Sequence, residues 1–280
     1  MIVYLNGDFV EKEKALISVD DRAFLFADGV YEVIRCYDGR PFRLDEHLRR
    51  LEQSVRAVRI EFSDFGTIGD VAKRLIAENR LTSGDALIYV EITRGSAPRV
   101  HTFPPRGTKP NVYVAGMEYQ PKRNQLENGI SVILVPDIRW SRCDIKSVGL
   151  LPNVLMAQRA LDVGADDAIF IRDGVAVEGT ASNFFGVFGG VVTTHPKSNY
   201  TLAGITRDVV LELCHKIGIA TQEAPILESQ LPDAEELFAT STTMEITPVV
   251  KVNGIVVGNG TPGPITRQIQ KAFWELVRSS

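Results

Sequence analysis

Ile138-Arg139-Trp140-Ser141-Arg142-Cys143-Asp144-Ile145-Lys146-Ser147 sets one lysine between an apolar neighbour and a serine. It follows a strand expected over 130–135 and precedes a helix expected over 153–163. An amine packed against apolar groups loses hydration in its charged form, and a neutral amine attacks carbonyl carbon to form a Schiff base. Taken alone, such a lysine is ordinarily a solvated surface group. Three later stretches change that reading.

The first, Val177-Glu178-Gly179-Thr180-Ala181-Ser182-Asn183, follows a strand and breaks it with glycine and small polar residues. It reads either as a loop with an exposed carboxylate or as a carboxylate held for a cationic ring nitrogen. The second, Thr201-Leu202-Ala203-Gly204-Ile205-Thr206-Arg207-Asp208, runs straight into a helix. Glycine lets a ligand approach the backbone, and the first free N–H groups of a helix favour an anion, while Thr206 can equally serve as an N-cap. The third, Thr240-Ser241-Thr242-Thr243-Met244-Glu245, ends a strand with hydroxyl groups that suit a turn or a phosphate. A reactive lysine, a carboxylate loop and two anion cradles, in that order, meet the needs of pyridoxal phosphate.

Composition narrows the alternatives. The chain has 280 residues, 24% charged and 44% hydrophobic, which suits one large or two ordinary soluble domains. A net charge of -4 supplies no basic field, so nucleic acid is not expected as a partner. Three scattered cysteines, Cys36, Cys143 and Cys214, suggest neither a disulfide framework nor a metal site. With no apolar run of membrane-spanning length and no signal peptide at Met1, a cytoplasmic enzyme is expected.

Along the chain, Asn6-Gly7 and Asp38-Gly39 mark hairpins, and 20–32 mixes charges with large apolar groups as a pocket wall would. Helices are expected over 45–60 and 70–79, and strands over 86–93 and 111–117. Between those strands, a Pro/Gly-broken loop carries Arg99 and His101 with one residue between them. The polar stretch Glu118-Tyr119-Gln120-Pro121-Lys122 is the expected linker, giving an N-terminal α+β domain over 1–120 and a C-terminal cofactor-binding domain over 121–280. Further helices are expected over 206–217 and 264–277. Strands and helices mix without regular βαβ alternation, so the fold class expected is α+β.

The order and wording of these stretches resemble the fold-type IV pyridoxal-phosphate aminotransferases over essentially the whole chain. Within that group, Phe26-Ala27-Asp28-Gly29-Val30-Tyr31-Glu32-Val33, Thr93-Arg94-Gly95-Ser96-Ala97-Pro98-Arg99-Val100-His101 and the Lys146 stretch are most similar to the D-amino-acid aminotransferases. The resemblance implies a smaller N-terminal α/β sandwich domain, a larger C-terminal pseudo-barrel, a homodimer, and pyridoxal 5'-phosphate at the domain boundary. It implies that Lys146 holds the cofactor covalently and serves as acid and base. Glu178 would pair with the ring nitrogen and Leu202 would pack on the ring. Arg50, Gly204, Ile205, Thr206, Ser241 and Thr242 would hold the phosphate. Tyr31, Arg99 and His101 would bind the substrate α-carboxylate, in an arm completed across the dimer interface. One departure is Thr180-Ala181, where that pattern carries two serines. The implied reaction is D-alanine plus 2-oxoglutarate giving pyruvate plus D-glutamate. Alternatives on the same fold are a branched-chain L-aminotransferase, an (R)-amine transaminase and an aminodeoxychorismate lyase. A non-enzymatic phosphate-binding module would leave Lys146 and Glu178 without work.

Overall fold

A computed structural model describes residues 1–279. The chain forms two compact units, Met1–Gln120 with Ile145–Gly149, and Pro121–Asp144 with the chain from Leu150 onward.

The first unit comprises β1 (Ile2–Leu5), β2 (Asp8–Glu11), α1 (Arg22–Phe26), β3 (Gly29–Tyr37), β4 (Arg40–Pro41), α2 (Leu44–Ala57), α3 (Phe65–Glu78), β5 (Asp85–Thr93) and β6 (Asn111–Glu118). Its six strands form an antiparallel sheet in the order β2-β1-β6-β5-β3-β4. Asn6 and Gly7 turn the first hairpin with φ of 54° and 108°, the left-handed conformations that such a two-residue loop requires. Leu51 and Val55 of α2 and Val71, Ala72 and Leu75 of α3 share a core with Ile34, Ile88 and Val90 of the sheet. Each of these valine, leucine and isoleucine side chains removed from water contributes about 1.5–3 kcal/mol. The Asp64 carboxylate accepts from Thr67 N at 3.2 Å, so α3 starts at Phe65, earlier than the expected residue 70.

The 145–149 segment lies along β3. Tyr31 N donates to Lys146 O at 3.0 Å, Val148 N donates to Gly29 O at 3.1 Å, and Ser147 bridges Val30. Ile145 joins the first unit's core. Lys146 therefore belongs with the first unit, whereas a cut at 120/121 would assign it to the second. Buried apolar contact and strand-edge hydrogen bonds bring this excursion back.

The second unit comprises α4 (Arg123–Asn128), β7 (Ile130–Pro136), α5 (Leu151–Asp162), β8 (Asp167–Arg172), β9 (Val175–Gly179), β10 (Asn183–Phe188), β11 (Val191–Thr194), α6 (Ile205–Ile217), β12 (Thr221–Glu223), β13 (Ile226–Leu227), β14 (Glu236–Ser241), β15 (Glu245–Val252), β16 (Ile255–Val256) and α7 (Pro264–Ser279). Its sheet runs β12-β11-β10-β14-β15-β7-β8-β9-β13. A further pairing of Asn183 with Glu178 joins β10 to β9 and closes β10-β14-β15-β7-β8-β9 into a barrel-like ring. Both faces of β10 are largely buried, as its near-continuous apolar run requires. Among the described residues, no helix is long and apolar enough to cross a membrane.

Candidate active site

The first unit holds Tyr31 beside Lys146, and Arg50 beside a buried acid, Glu32. Inward-facing positions of β3 alternate with outward ones, so Glu32 takes the buried register between Val30 and Ile34. A carboxylate there must be paired. Arg50 Nε donates to Glu32 Oε1 at 2.7 Å and Nη2 to Oε2 at 2.9 Å, while His47 Nδ1 lies 2.8 Å from Oε2. Burial works to raise the Glu32 pKa, but Arg50 and then His47 outweigh it and hold the group well below the usual carboxylate range. Burial lowers the pKa of His47, opposed by Glu32 and reinforced by the charges of Arg50 and Lys146.

Lys146 is fixed through its backbone. Its N–H donates to Ser54 Oγ at 3.2 Å, its carbonyl accepts from Tyr31, and its Nζ stands 4.2 Å from the centroid of the Tyr31 ring. Tyr31 in turn stacks on Tyr89 at 5.9 Å. The amine and the Tyr31 ring are thus held together by the backbone of the 145–149 segment and of β3.

Arg99 and His101 lie on the exposed loop between β5 and β6, as the sequence placed them. They meet at Phe26, whose ring lies 5.1 Å from the Arg99 guanidinium carbon and 5.5 Å from the His101 ring.

In the second unit Glu178 sits at the closure of the ring of strands and is buried. Its Oε2 accepts from Leu202 N at 3.0 Å and Asn183 Nδ2 at 3.1 Å, and its Oε1 is paired with Arg139. Burial raises the pKa of Glu178, and Arg139 pulls it back. Arg139 is gripped by Asp137 as well, through Nε and Nη2 at 2.9 Å each. Asn183 also donates to Leu202 O at 2.9 Å, so one amide joins the carboxylate loop to the loop before α6. The position of Gly204 is dictated by the same amide, because a Cβ there would fall on Asn183 Oδ1.

Gly204 precedes the first turn of α6, where Ile205 and Thr206 stand at the end that presents free backbone N–H groups. Ser241 ends β14 and Thr242 follows it, and Ser241 Oγ accepts from Met244 N at 3.1 Å. Thr240 Oγ1 is buried without a partner. Thr180, the departure from the resembled pattern, is engaged structurally: its Oγ1 donates to buried Asp167 Oδ1 at 2.5 Å. Sequence reasoning assigns no role to Glu32, His47 or Asn183. A usable signal exists for Glu32, a charge in the inward register of an otherwise apolar strand.

Each unit carries groups that suit a phosphorylated aromatic aldehyde: the first an amine beside a phenol, the second a carboxylate in a low-dielectric seat and an anion-favouring helix end. The model of the amino-transferase class IV family matches residues 29–252, and the chain belongs to that family. Among its relatives, the D-alanine aminotransferase of Staphylococcus haemolyticus is 39% identical over 99% of this chain and 98% of that protein. The D-alanine aminotransferase of Bacillus licheniformis is 40% identical over 100% and 98%. Among solved structures, the Escherichia coli branched-chain amino acid aminotransferase superposes with a TM-score of 0.92 at 32% identity, covering 99% of this chain and 94% of that one. The branched-chain aminotransferase of the archaeon Thermoproteus uzoniensis, solved with norvaline, gives 0.91 at 27%, over 100% and 95%. The α+β architecture is that of the fold-type IV aminotransferases.

Proposed function

We propose that the chain is a pyridoxal-phosphate-dependent D-amino-acid transaminase, exchanging the amino group between D-alanine and 2-oxoglutarate to give pyruvate and D-glutamate. The observation that carries the substrate class is the pairing of Arg99 and His101 at one aromatic ring, since a guanidinium and an imidazole together can grip a carboxylate. Full-length likeness to two D-alanine aminotransferases supports the same reading. The structural neighbours favour one second reading, a branched-chain L-aminotransferase. That activity would be expected to lack the Arg99 and His101 trap in this loop.

Pyridoxal phosphate supplies an aldehyde to take the substrate nitrogen and a ring that accepts electrons from the Cα–H bond. Lys146 would hold the cofactor covalently and, once released by substrate, its Nζ would carry the proton leaving Cα. Tyr31, beneath that amine, would donate to the substrate carboxylate with Arg99 and His101. Glu178 would hold a proton at the ring nitrogen, its own seat fixed by Arg139, Asn183 and the Leu202 amide. Arg50 with Gly204, Ile205, Thr206, Ser241 and Thr242 would bind the phosphate, and Leu202 would pack on the ring. The protein is proposed to act as a homodimer. Helix α5 leaves Leu151 68% and Val154 59% exposed, apolar surface that a second copy would cover.

Borohydride reduction of the yellow protein followed by peptide mass analysis tests the cofactor assignment. A phosphopyridoxyl group on Lys146 is expected; its appearance on another lysine would contradict the proposal.

A further inference from the structure

Helix α1 carries no assigned function, yet three of its contacts reach the loop of Arg99 and His101. Arg22 Nη1 donates to the carbonyl of Val100, the residue between them, at 2.8 Å. Arg22 is itself buried, and its Nε donates to Asp28 Oδ2 at 2.8 Å. The same carboxylate is gripped by Arg94, through Nε at 2.8 Å and Nη2 at 2.9 Å, at the root of the loop. At the other end of α1, the Phe26 ring faces Arg99 at 5.1 Å, His101 at 5.5 Å and Arg22 at 4.8 Å.

Arg99, Val100 and His101 are all exposed, and an arginine on an exposed loop samples many rotamers. The loop turns tightly here, Val100 N donating to Pro98 O at 2.8 Å, so with its carbonyl held by Arg22 the residue between the two side chains is fixed at both its amide and its carbonyl. An aromatic face then attracts the guanidinium and packs against the imidazole, narrowing what each can sample.

We infer that Arg22 and Phe26 are positioning residues for carboxylate recognition, Arg22 setting the backbone at Val100 and Phe26 pre-aligning Arg99 and His101. The inference rests on the proposed role of Arg99 and His101 as the carboxylate trap. It makes preference for amino acids a property partly encoded in α1, remote in sequence from the loop.

The test compares holoenzymes carrying Phe26→Leu, Phe26→Tyr and Arg99→Ala by steady-state kinetics with D-alanine and 2-oxoglutarate, with Arg22→Gln as a second route. Phe26 is only half-buried, so Phe26→Leu is expected to fold, and unchanged melting and cofactor absorbance verify that. KM for both substrates should rise about five-fold in Phe26→Leu with kcat within about two-fold, as expected for a lost exposed cation–aromatic contact. Phe26→Tyr should restore it, and Arg22→Gln should also raise KM. Unchanged KM in Phe26→Leu beside a raised KM in Arg99→Ala would overturn this inference and leave the trap standing. Unchanged KM in Arg99→Ala would overturn the trap itself. Equal loss in KM and kcat that Phe26→Tyr fails to rescue would show a merely structural role and would also refute it.

Discussion

Glu32 holds Arg50 by two parallel hydrogen bonds, Nε to Oε1 at 2.7 Å and Nη2 to Oε2 at 2.9 Å, both groups being buried. Removing one partner of a buried ion pair strands the other's charge, at a cost of about 3–5 kcal/mol. Glu32→Gln should therefore lower unfolding stability by about 3 kcal/mol at neutral pH. The folded pKa of Glu32 lies below the ordinary glutamate value of 4.5, so its contribution is fully present above that value and fades as pH falls below it. Denaturant melts at pH 7 and at lower pH should show the gap between wild type and variant closing on the acid side. A gap independent of pH would mean that the pair contributes nothing through its charge.

Lys146→Ala should cut turnover by about 10³–10⁴-fold, the usual worth of a positioned proton carrier or more. The fold should survive, because the segment is held by the Lys146 and Val148 backbone and by Ile145, not by the amine. Turnover within ten-fold of wild type would exclude this lysine.

Much of this arrangement is legible in sequence, and the reasons differ by element. Helices α2 and α6 have apolar residues at helical spacing, and the hairpins announce themselves through Asn6-Gly7 and Asp38-Gly39. Helix α1 has five residues and no apolar period, so its clearest sign is local: the Asp21 carboxylate caps Ala23 N at 2.7 Å. Helix α4 buries none of its side chains, and its sequence reads as a continuation of the linker. The lysine, the carboxylate loop and the Gly204 turn stand out because each is a local motif. Contacts such as Arg50 with Glu32 and Asn183 with Leu202 are long-range, and they emerge only when sheet register brings them together.

Glu178→Gln should preserve the fold but lower kcat about a hundred-fold, since a neutral amide cannot hold a proton on a ring nitrogen through charge. Cofactor spectra and single-turnover rates check this. An unchanged kcat would remove Glu178 from the chemistry.

Gly204→Ala tests the link between the two loops. Its φ of -70° is open to alanine, so the effect comes from the clash with Asn183 Oδ1 and not from backbone strain. Displacing that amide loosens both Glu178 and the Leu202 carbonyl, and affinity for pyridoxal phosphate should fall about ten-fold, the equivalent of one lost hydrogen bond. Fluorescence titration of the apoprotein reads this directly. Unaltered affinity would show that Asn183 does not position the cofactor loops.

Arg99 and His101 are proposed to bind the α-carboxylate of a D-amino acid from the exposed loop between β5 and β6. The most direct measurement is the first half-reaction: the yellow enzyme is mixed separately with D-alanine, L-leucine and (R)-1-phenylethylamine, and formation of the pyridoxamine form is followed by absorbance. Rapid conversion by D-alanine alone is the predicted result. Conversion by L-leucine in its place, or by the amine at a comparable rate, would contradict the account.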